Sequence, residues 1–301
     1  MKQYLEALAT VKEQGVVTSD RTGTGRKRYH GLHMRFDMSD GTLPVVTTKK
    51  MPLRIIFEEL KWFLTGDTNI KALLDKNIHI WTADAYKAAK ATGSIRVPLS
   101  EVVFEQRIKE DKEYAREFGN LGPIYGQAWR RKKGVAANGE NYVVDQIAKL
   151  VEQIKNTPES TRHIVMAWDE FKLQSVVLPP CHFGFQVTVI NNVLNLQIFQ
   201  RSGDMFLGVP FNITSYAMLL AILAEYTGCE RGVLTHTITD AHIYLNHLTQ
   251  VDEQLSRETF TLPKLAIKDL KSYKDISNIE WSDLVVTNYE AHPTIKGDLS
   301  V

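Results

Sequence analysis

The sequence predicts an α/β protein, and three stretches carry that prediction. Phe183 to Ile190 and Leu194 to Arg201 read as two β-strands joined by the turn residues Asn191 and Asn192. Residues 213–226, ITSYAMLLAILAEY, are apolar almost all round, as a central buried helix must be. Pro52 opens another helix that runs through Leu64, since its fixed φ and missing N–H suit a first turn. Its apolar positions Leu53, Ile56, Leu60 and Phe63 recur three or four apart and put one face in the core.

The remaining elements follow along the chain. MKQYLEALATVKEQG is an amphipathic helix ending near Gly15. The polar turn after it, Ser19 to Gly25 with Arg21, suits either a hairpin loop or a loop whose backbone N–H groups wrap an anion. Strand-like GLHMRFDM, the turn SDG and the stretch LPVVTTKK come next, then a short helix with Ala72, Leu73 and Leu74 ahead of Ile80 and Trp81. Lys87 to Gly119 is rich in Lys, Glu and Ala and reads as a helical insertion on the surface. Asp145 to Lys155 is a helix with Ile147, Leu150, Val151 and Ile154 on one face. Arg162 and His163 precede the strand IVMAW, Asn212 stands at an N-cap position, DAHIYLNH reads as helix, and LPKLAI as strand.

Composition sets broad bounds. At 301 residues, 44% hydrophobic and 24% charged, the chain can bury a large core. A net charge of +1 argues against a broad nucleic-acid surface, so an anion site has to be local. Only Cys181 and Cys229 are present, and a nucleophilic Cys181 cannot also be bridged, so both are expected reduced in a cytoplasmic protein. No apolar run is read as a membrane span, and the charged first helix is not a signal peptide.

Chemistry concentrates at the outer ends of the hairpin. Cys181 follows Pro179 and Pro180, which hold the chain extended, and Arg201 leaves the second strand at the same end. A guanidinium near a thiol favours the nucleophilic thiolate and keeps donors for a phosphate. Singly, each residue has an ordinary reading, a small buried hydrophobe and a solvated strand end. Glu59 sits at the margin of its helix's apolar stripe, where a raised pKa would let it move protons near neutrality. Asn212 offers a donor and an acceptor together, enough to read a ligand edge that carries one of each.

Taken together, PPCH, QRSGD, FLGVPFN and DAHIYLNH, in this order and spacing, closely resemble the thymidylate synthase family. DRTGTG, LPVVTTKK, EELKWFLTGDTN with IW after it, LGPIYG and the tail HPTIKGDLSV extend the resemblance over nearly all of residues 1–301, apart from the divergent stretch at about 87–119. The resemblance implies one catalytic domain: a mixed, twisted sheet covered on one face by helices, with the other face forming a homodimer. Its substrates would be dUMP and the reduced folate 5,10-methylenetetrahydrofolate, with no metal, no membrane and no obligatory nucleic acid.

By the same resemblance, Cys181 is the nucleophile, Glu59 the main acid/base, and Tyr125, Asn212 and Asp204 complete the catalytic set. Arg21, Arg201, Gln200 and Ser202 hold the nucleotide together with Asn212, while His242 and Tyr244 hold the deoxyribose hydroxyl. Arg162 reaches the partner's phosphate site, with His163 standing where a second arginine is usual. Lys49, Ile80, Trp81, Leu178, Asp204, Leu207, Gly208, Phe211 and Val301 line the folate site. Lys61, Asp84, Gly184 and Val187 depart from the family's usual residues. They keep open a dUMP hydroxymethylase, in which water rather than hydride ends the reaction at a less dry site. Two further readings are a silent nucleotide-binding homologue and a Cys-His hydrolase using Cys181 and His182, though adjacent strand residues face opposite ways.

Overall fold

The computed structural model describes residues 1–19 and 23–298. In chain order its helices and strands are α1 (Lys2–Gln14), β1 (Val16–Thr18), β2 (Arg26–Asp37), α2 (Leu53–Thr65), α3 (Lys71–Leu74), α4 (Thr82–Ala91), α5 (Glu101–Glu110), α6 (Lys112–Phe118), α7 (Tyr125–Arg130), β3 (Lys132–Val135), β4 (Asn141–Val144), α8 (Gln146–Asn156), β5 (Ile164–Met166), β6 (His182–Ile190), β7 (Val193–Asp204), α9 (Gly208–Thr227), β8 (Glu230–Tyr244), α10 (Leu248–Ser256), β9 (Lys264–Ile267) and β10 (Leu284–Thr287). The mixture of helices with a mixed sheet is the α/β class expected. Contacts group the chain into two compact units, one of residues 1–57, 150–165 and 181–298, the other of residues 58–149 and 166–180.

The first unit is built on a six-stranded sheet in the order β1-β2-β8-β7-β6-β5. β2 pairs antiparallel with β8 and β6 with β7, whereas β7 and β8 run parallel. A parallel pair needs a long crossover, and α9 supplies it. Asn191 and Asn192 turn the β6–β7 hairpin at φ 50° and 65°, a conformation asparagine tolerates and a two-residue turn requires. Alternate residues of the strands are buried: Leu32, Met34 and Phe36 on β2, Leu194, Leu196 and Ile198 on β7, Leu234 and Ile238 on β8. α9 meets β7 and β8 and buries fourteen of its residues, ending on Gly228 in the left-handed conformation of a helix C-cap.

Several expectations for this unit need correction. α9 begins at Gly208, so Asn212 lies inside the helix and is no N-cap. The Asp204 carboxylate takes the N–H groups of Phe206 and Leu207 just ahead of the helix, and Pro210 fits its first turn, where no N–H is needed. DAHIYLNH is largely strand: His242 and Tyr244 end β8. Alternation of Leu234, His236 and Ile238 against Val233, Thr235 and Thr237 carries the strand period. α9 is also long and apolar enough to cross a membrane, contrary to the reading of the sequence, but most of it is buried inside the protein. The sheet's other face, expected to form the homodimer, carries polar side chains. Gln186, Thr188, Asn195, Gln197 and Thr235 line a hollow there with Arg35, Ile190 and Val233, and Gln197 donates to the Thr237 hydroxyl at 3.2 Å.

In the second unit α2 continues into a cluster of Phe63, Trp81, Tyr125 and Trp129, with Phe63 4.8 Å from Tyr125 and 5.7 Å from Trp129 between ring centroids. The divergent stretch is helical as expected, but it is more than surface. α5 and α6 bury Phe104, Ile108, Tyr114, Ala115 and Phe118, and Asp111 caps α6 through the N–H groups of Glu113 and Tyr114. Ile95 and Leu99, in the loop before α5, are fully exposed. Replacing Phe104 by Ala should therefore cost about 3–5 kcal/mol of stability, whereas Ile95→Ala should stay within about 0.5 kcal/mol. Urea denaturation of the two variants checks this.

Candidate active site

The first unit brings most of the expected nucleotide-binding residues to the ends of β6, β7 and β8. Cys181 precedes β6, and the Arg201 N–H donates to its carbonyl at 2.8 Å. The Arg201 guanidinium Nη2 lies 4.0 Å from the Cys181 sulfur. The hairpin register shifts between His182 and Gly184, a bulge that re-aims the thiol end of β6. Cys181 is partly exposed and unbridged, as is Cys229. His182 points the other way: its Nδ1 meets the Tyr216 hydroxyl at 2.9 Å, and burial pushes the imidazole down to about 3. A ring turned to Tyr216, with its basicity lowered by burial, is not placed to take a proton from Cys181, which speaks against the Cys-His hydrolase reading.

A chain of amides fixes Asn212. His236 donates from Nε2 to the Gln200 Oε1 at 2.7 Å, and Gln200 Nε2 donates to the Asn212 Oδ1 at 3.1 Å and to the Ser202 carbonyl at 2.9 Å. Burial pushes His236 down to about 3, so it stays neutral and its Nε2–H donates to Gln200. Asn212 thus has one lone pair of Oδ1 engaged and its orientation set. His236 is not among the residues the sequence singles out, because it lies in a stretch assigned to no element, ahead of the DAHIYLNH read as helix.

β7 and β8 place Ser202 opposite Asp240 and Asp204 opposite His242. His242 is buried with Nδ1 3.4 Å from the Asp240 carbonyl, and the Tyr244 ring stands edge-on to it at 5.2 Å. The Asp240 carboxylate is gripped by Arg28 through two bonds of 2.9 Å. Leu207, Gly208, Phe211 and Asn212, about the first turns of α9, remain partly exposed, whereas residues 213–224 are buried. Lys49 is buried; its ammonium donates to the Phe206 carbonyl and lies 3.7 Å from that residue's ring centroid, and burial pushes it down to about 8.

Arg162 is exposed ahead of β5, but His163 is fully buried, on the inward side with Val165 and Ala167. Neither of its ring nitrogens has a hydrogen-bond partner among the described residues. The expectation that His163 replaces an outward-reaching arginine does not fit this placement, because strand alternation turns every second side chain to the core. Thr161 is the exposed neighbour of Arg162 on its other side. Arg21 and Val301 lie outside the described residues. The described end of the tail is anchored where His247 Nε2 donates to the Asp298 carbonyl at 2.9 Å.

The second unit holds the remaining expected groups. Trp81 donates its indole N–H to Glu59 Oε1 at 2.9 Å. Burial pushes the Glu59 carboxyl up to about 7, and the Trp81 bond pulls it the other way. Its neighbour Glu58 is instead buried in an ion pair with Lys76. Tyr125 is buried with its ring 6.4 Å from that of Trp81. Ile80 and Leu178 are partly exposed, and the Val177 N–H donates to the Leu121 carbonyl.

A partly exposed thiol beside a guanidinium, with a fixed amide in the same unit, defines a thiol-dependent enzyme for an anionic substrate. The chain belongs to the thymidylate synthase family: residues 2–301 match the profile described as Thymidylate synthase. It is 46% identical over 301 residues to a thymidylate synthase of Mycoplasma mobile and 42% identical over 302 residues to one of Mesoplasma florum, each match covering the whole of both chains.

The Glu59 shift has a consequence for stability. In the unfolded chain this carboxyl titrates near 4.5, in the folded protein near 7, so between those values the folded state binds a proton the unfolded state has released. Wild type should therefore lose stability relative to Glu59→Gln as pH rises through that window, by on the order of 1–3 kcal/mol, and no further above it. Urea denaturation of both proteins between pH 4.5 and 8.5 measures the difference.

Proposed function

We propose that the protein transfers the one-carbon unit of 5,10-methylenetetrahydrofolate to C5 of dUMP, giving dTMP and dihydrofolate. The observation that carries the reading is the Cys181–Arg201 pair at 4.0 Å beside an Asn212 amide already oriented through Gln200 and His236. Uracil C5 is a poor nucleophile. Addition of the Cys181 thiolate to C6 makes it an enolate whose charge gathers on O4. Asn212 donates to O4 from its Nδ2 and keeps a second Oδ1 lone pair for N3–H, so it reads uracil and stabilises the enolate together. Arg201 and Ser202 hold the phosphate with Arg21, and His242 and Tyr244 bind the sugar hydroxyl.

The bound folate supplies the methylene group and then the hydride that completes the methyl. Its flat ring and N–H groups suit the residues available: Phe211 and Leu207 stay partly exposed in α9's opening, and Asp204 offers a carboxylate just before it. Lys49, Ile80, Trp81, Leu178, Gly208 and Val301 complete that set. Glu59, at about 7, passes protons through water in either direction near neutrality, and Tyr125 assists removal of the C5 proton. Expulsion of Cys181 as thiolate then releases the product.

A homodimer, with Arg162 reaching the partner's phosphate site, completes the reading, and a catalytic thiol suits the reducing cytoplasm. Residues 1–301 act as one catalytic domain in it. The relatives' names favour the methyl over the hydroxymethyl product.

Mass spectrometry of the nucleotide formed from dUMP and methylenetetrahydrofolate should show a methyl group; a hydroxymethyl group would overturn the assignment. Cys181→Ala should lose at least about 1,000-fold in kcat. Asn212→Asp should lower kcat/KM for dUMP by about 100-fold or more, because its carboxylate offers no donor to O4.

A further inference from the structure

The turn that carries Trp81 joins α3 to α4, and little of it is held by regular structure. Asn77 takes a left-handed φ of 59°, and the Thr82 N–H donates to the His79 carbonyl at 3.0 Å. The turn's side chains converge on Glu105 of α5. One carboxylate oxygen, Oε1, lies 2.7 Å from His79 Nδ1 and 2.7 Å from the Thr82 hydroxyl. A carboxylate only accepts, so His79 Nδ1–H and Thr82 O–H both donate to it. The other His79 nitrogen lies 3.0 Å from Asn77 Oδ1. Ile80 and Trp81 are thus bracketed by two residues tied to one oxygen.

The two arms of this tie differ in shelter. Thr82 is buried and the Glu105 side chain is 18% exposed, so their bond is less weakened by water than a solvated one, whereas the His79 side chain is 43% exposed and its bond is a surface contact. Phe104 and Ile108, on the same helix, are fully buried and fix α5. From the bracketed turn the Trp81 N–H then reaches Glu59 at 2.9 Å.

The geometry points to Glu105 as a positioning residue for the reaction: from the divergent stretch, it holds the turn that aims the Trp81 indole and its N–H at Glu59. Glu105 itself touches no reacting atom. The inference rests on the proposed function for Glu59 as proton carrier and Trp81 as folate contact, and it assigns work to a segment that would otherwise be only scaffold. Residues on either side of Trp81 are held by one group, so losing that group loosens the indole without removing it.

Steady-state kinetics of the full-length protein test this with Glu105→Ala, Glu105→Gln and the same alanine change in a Trp81→Phe background. Wild type must first make dTMP; if it does not, the proposed function fails before Glu105 is judged. Glu105→Ala should raise KM for methylenetetrahydrofolate about tenfold and leave KM for dUMP within about twofold. Glu105→Gln, whose carbonyl still accepts from both donors, should restore the folate KM to within about threefold of wild type. In the Trp81→Phe background the alanine change should add less than about twofold, because a residue that acts through Trp81 has nothing left to position. Equal loss for both substrates, no rescue by Gln, or full additivity with Trp81→Phe would each overturn the inference.

Discussion

The parallel register between β7 and β8 is the constraint on which the first unit depends. Parallel neighbours need a helix to carry the chain back, and that helix has to begin as soon as β7 ends. α9 therefore starts four residues after Asp204, which puts Asn212 within reach of Gln200 on the strand just left. The same register sets Asp204 opposite His242. The junction tolerates no side chain at Gly203: a Cβ there would stand 2.9 Å from the Val209 methyl and 3.1 Å from that of Ile238. The QRSGD stretch thus combines the groups proposed to hold the nucleotide with a glycine the packing demands.

Polar groups inside the two units are handled differently according to whether they carry charge. His182 and His236 are buried as neutral rings, each with a hydrogen-bond partner, so they orient neighbours without storing charge in the core. Lys49 and Glu59 are shifted toward neutrality instead, to about 8 and about 7. Those two can exchange protons close to physiological pH, while the histidines, usually the groups that do so, are silent. The acid/base role proposed for Glu59 follows from this, because burial has exchanged the ordinary order of the two residue types.

Much of this was legible in the sequence. The β6–β7 hairpin, its two-asparagine turn and the helices beginning near Pro52 and Asp145 follow from period and turn chemistry, and the placing of Cys181 and Arg201 at one end of the hairpin agrees with their 4.0 Å separation. Failures came where tertiary context outweighs local pattern. β8 carries histidines and threonines at spacings that also suit a helix, and only pairing with β2 and β7 decides for strand. His163 sits in a basic sequence context, yet the fold turns it inward. Asn212 is a good capping residue that the Asp204 turn displaces from the cap. The polar sheet face could not be foreseen from the buried runs alone, since each strand hides one set of residues and shows another.

The divergent stretch is tied at its base by the backbone. The Ile70 N–H donates to the Gly119 carbonyl at 2.9 Å, the Leu121 N–H to the Thr68 carbonyl at 3.0 Å, and Asn69 bridges Asn120. Entry and exit of an excursion of some fifty residues are therefore clasped side by side before any of its own helices contribute. For a loop closed in this way, the entropy of closure grows only with the logarithm of its length: halving it changes the cost by about 0.6 kcal/mol. Shortening the helices at about 87–119 would thus change little in the entropy of closing this loop. What such a change forfeits is any contact the departing helices make with the chain that remains.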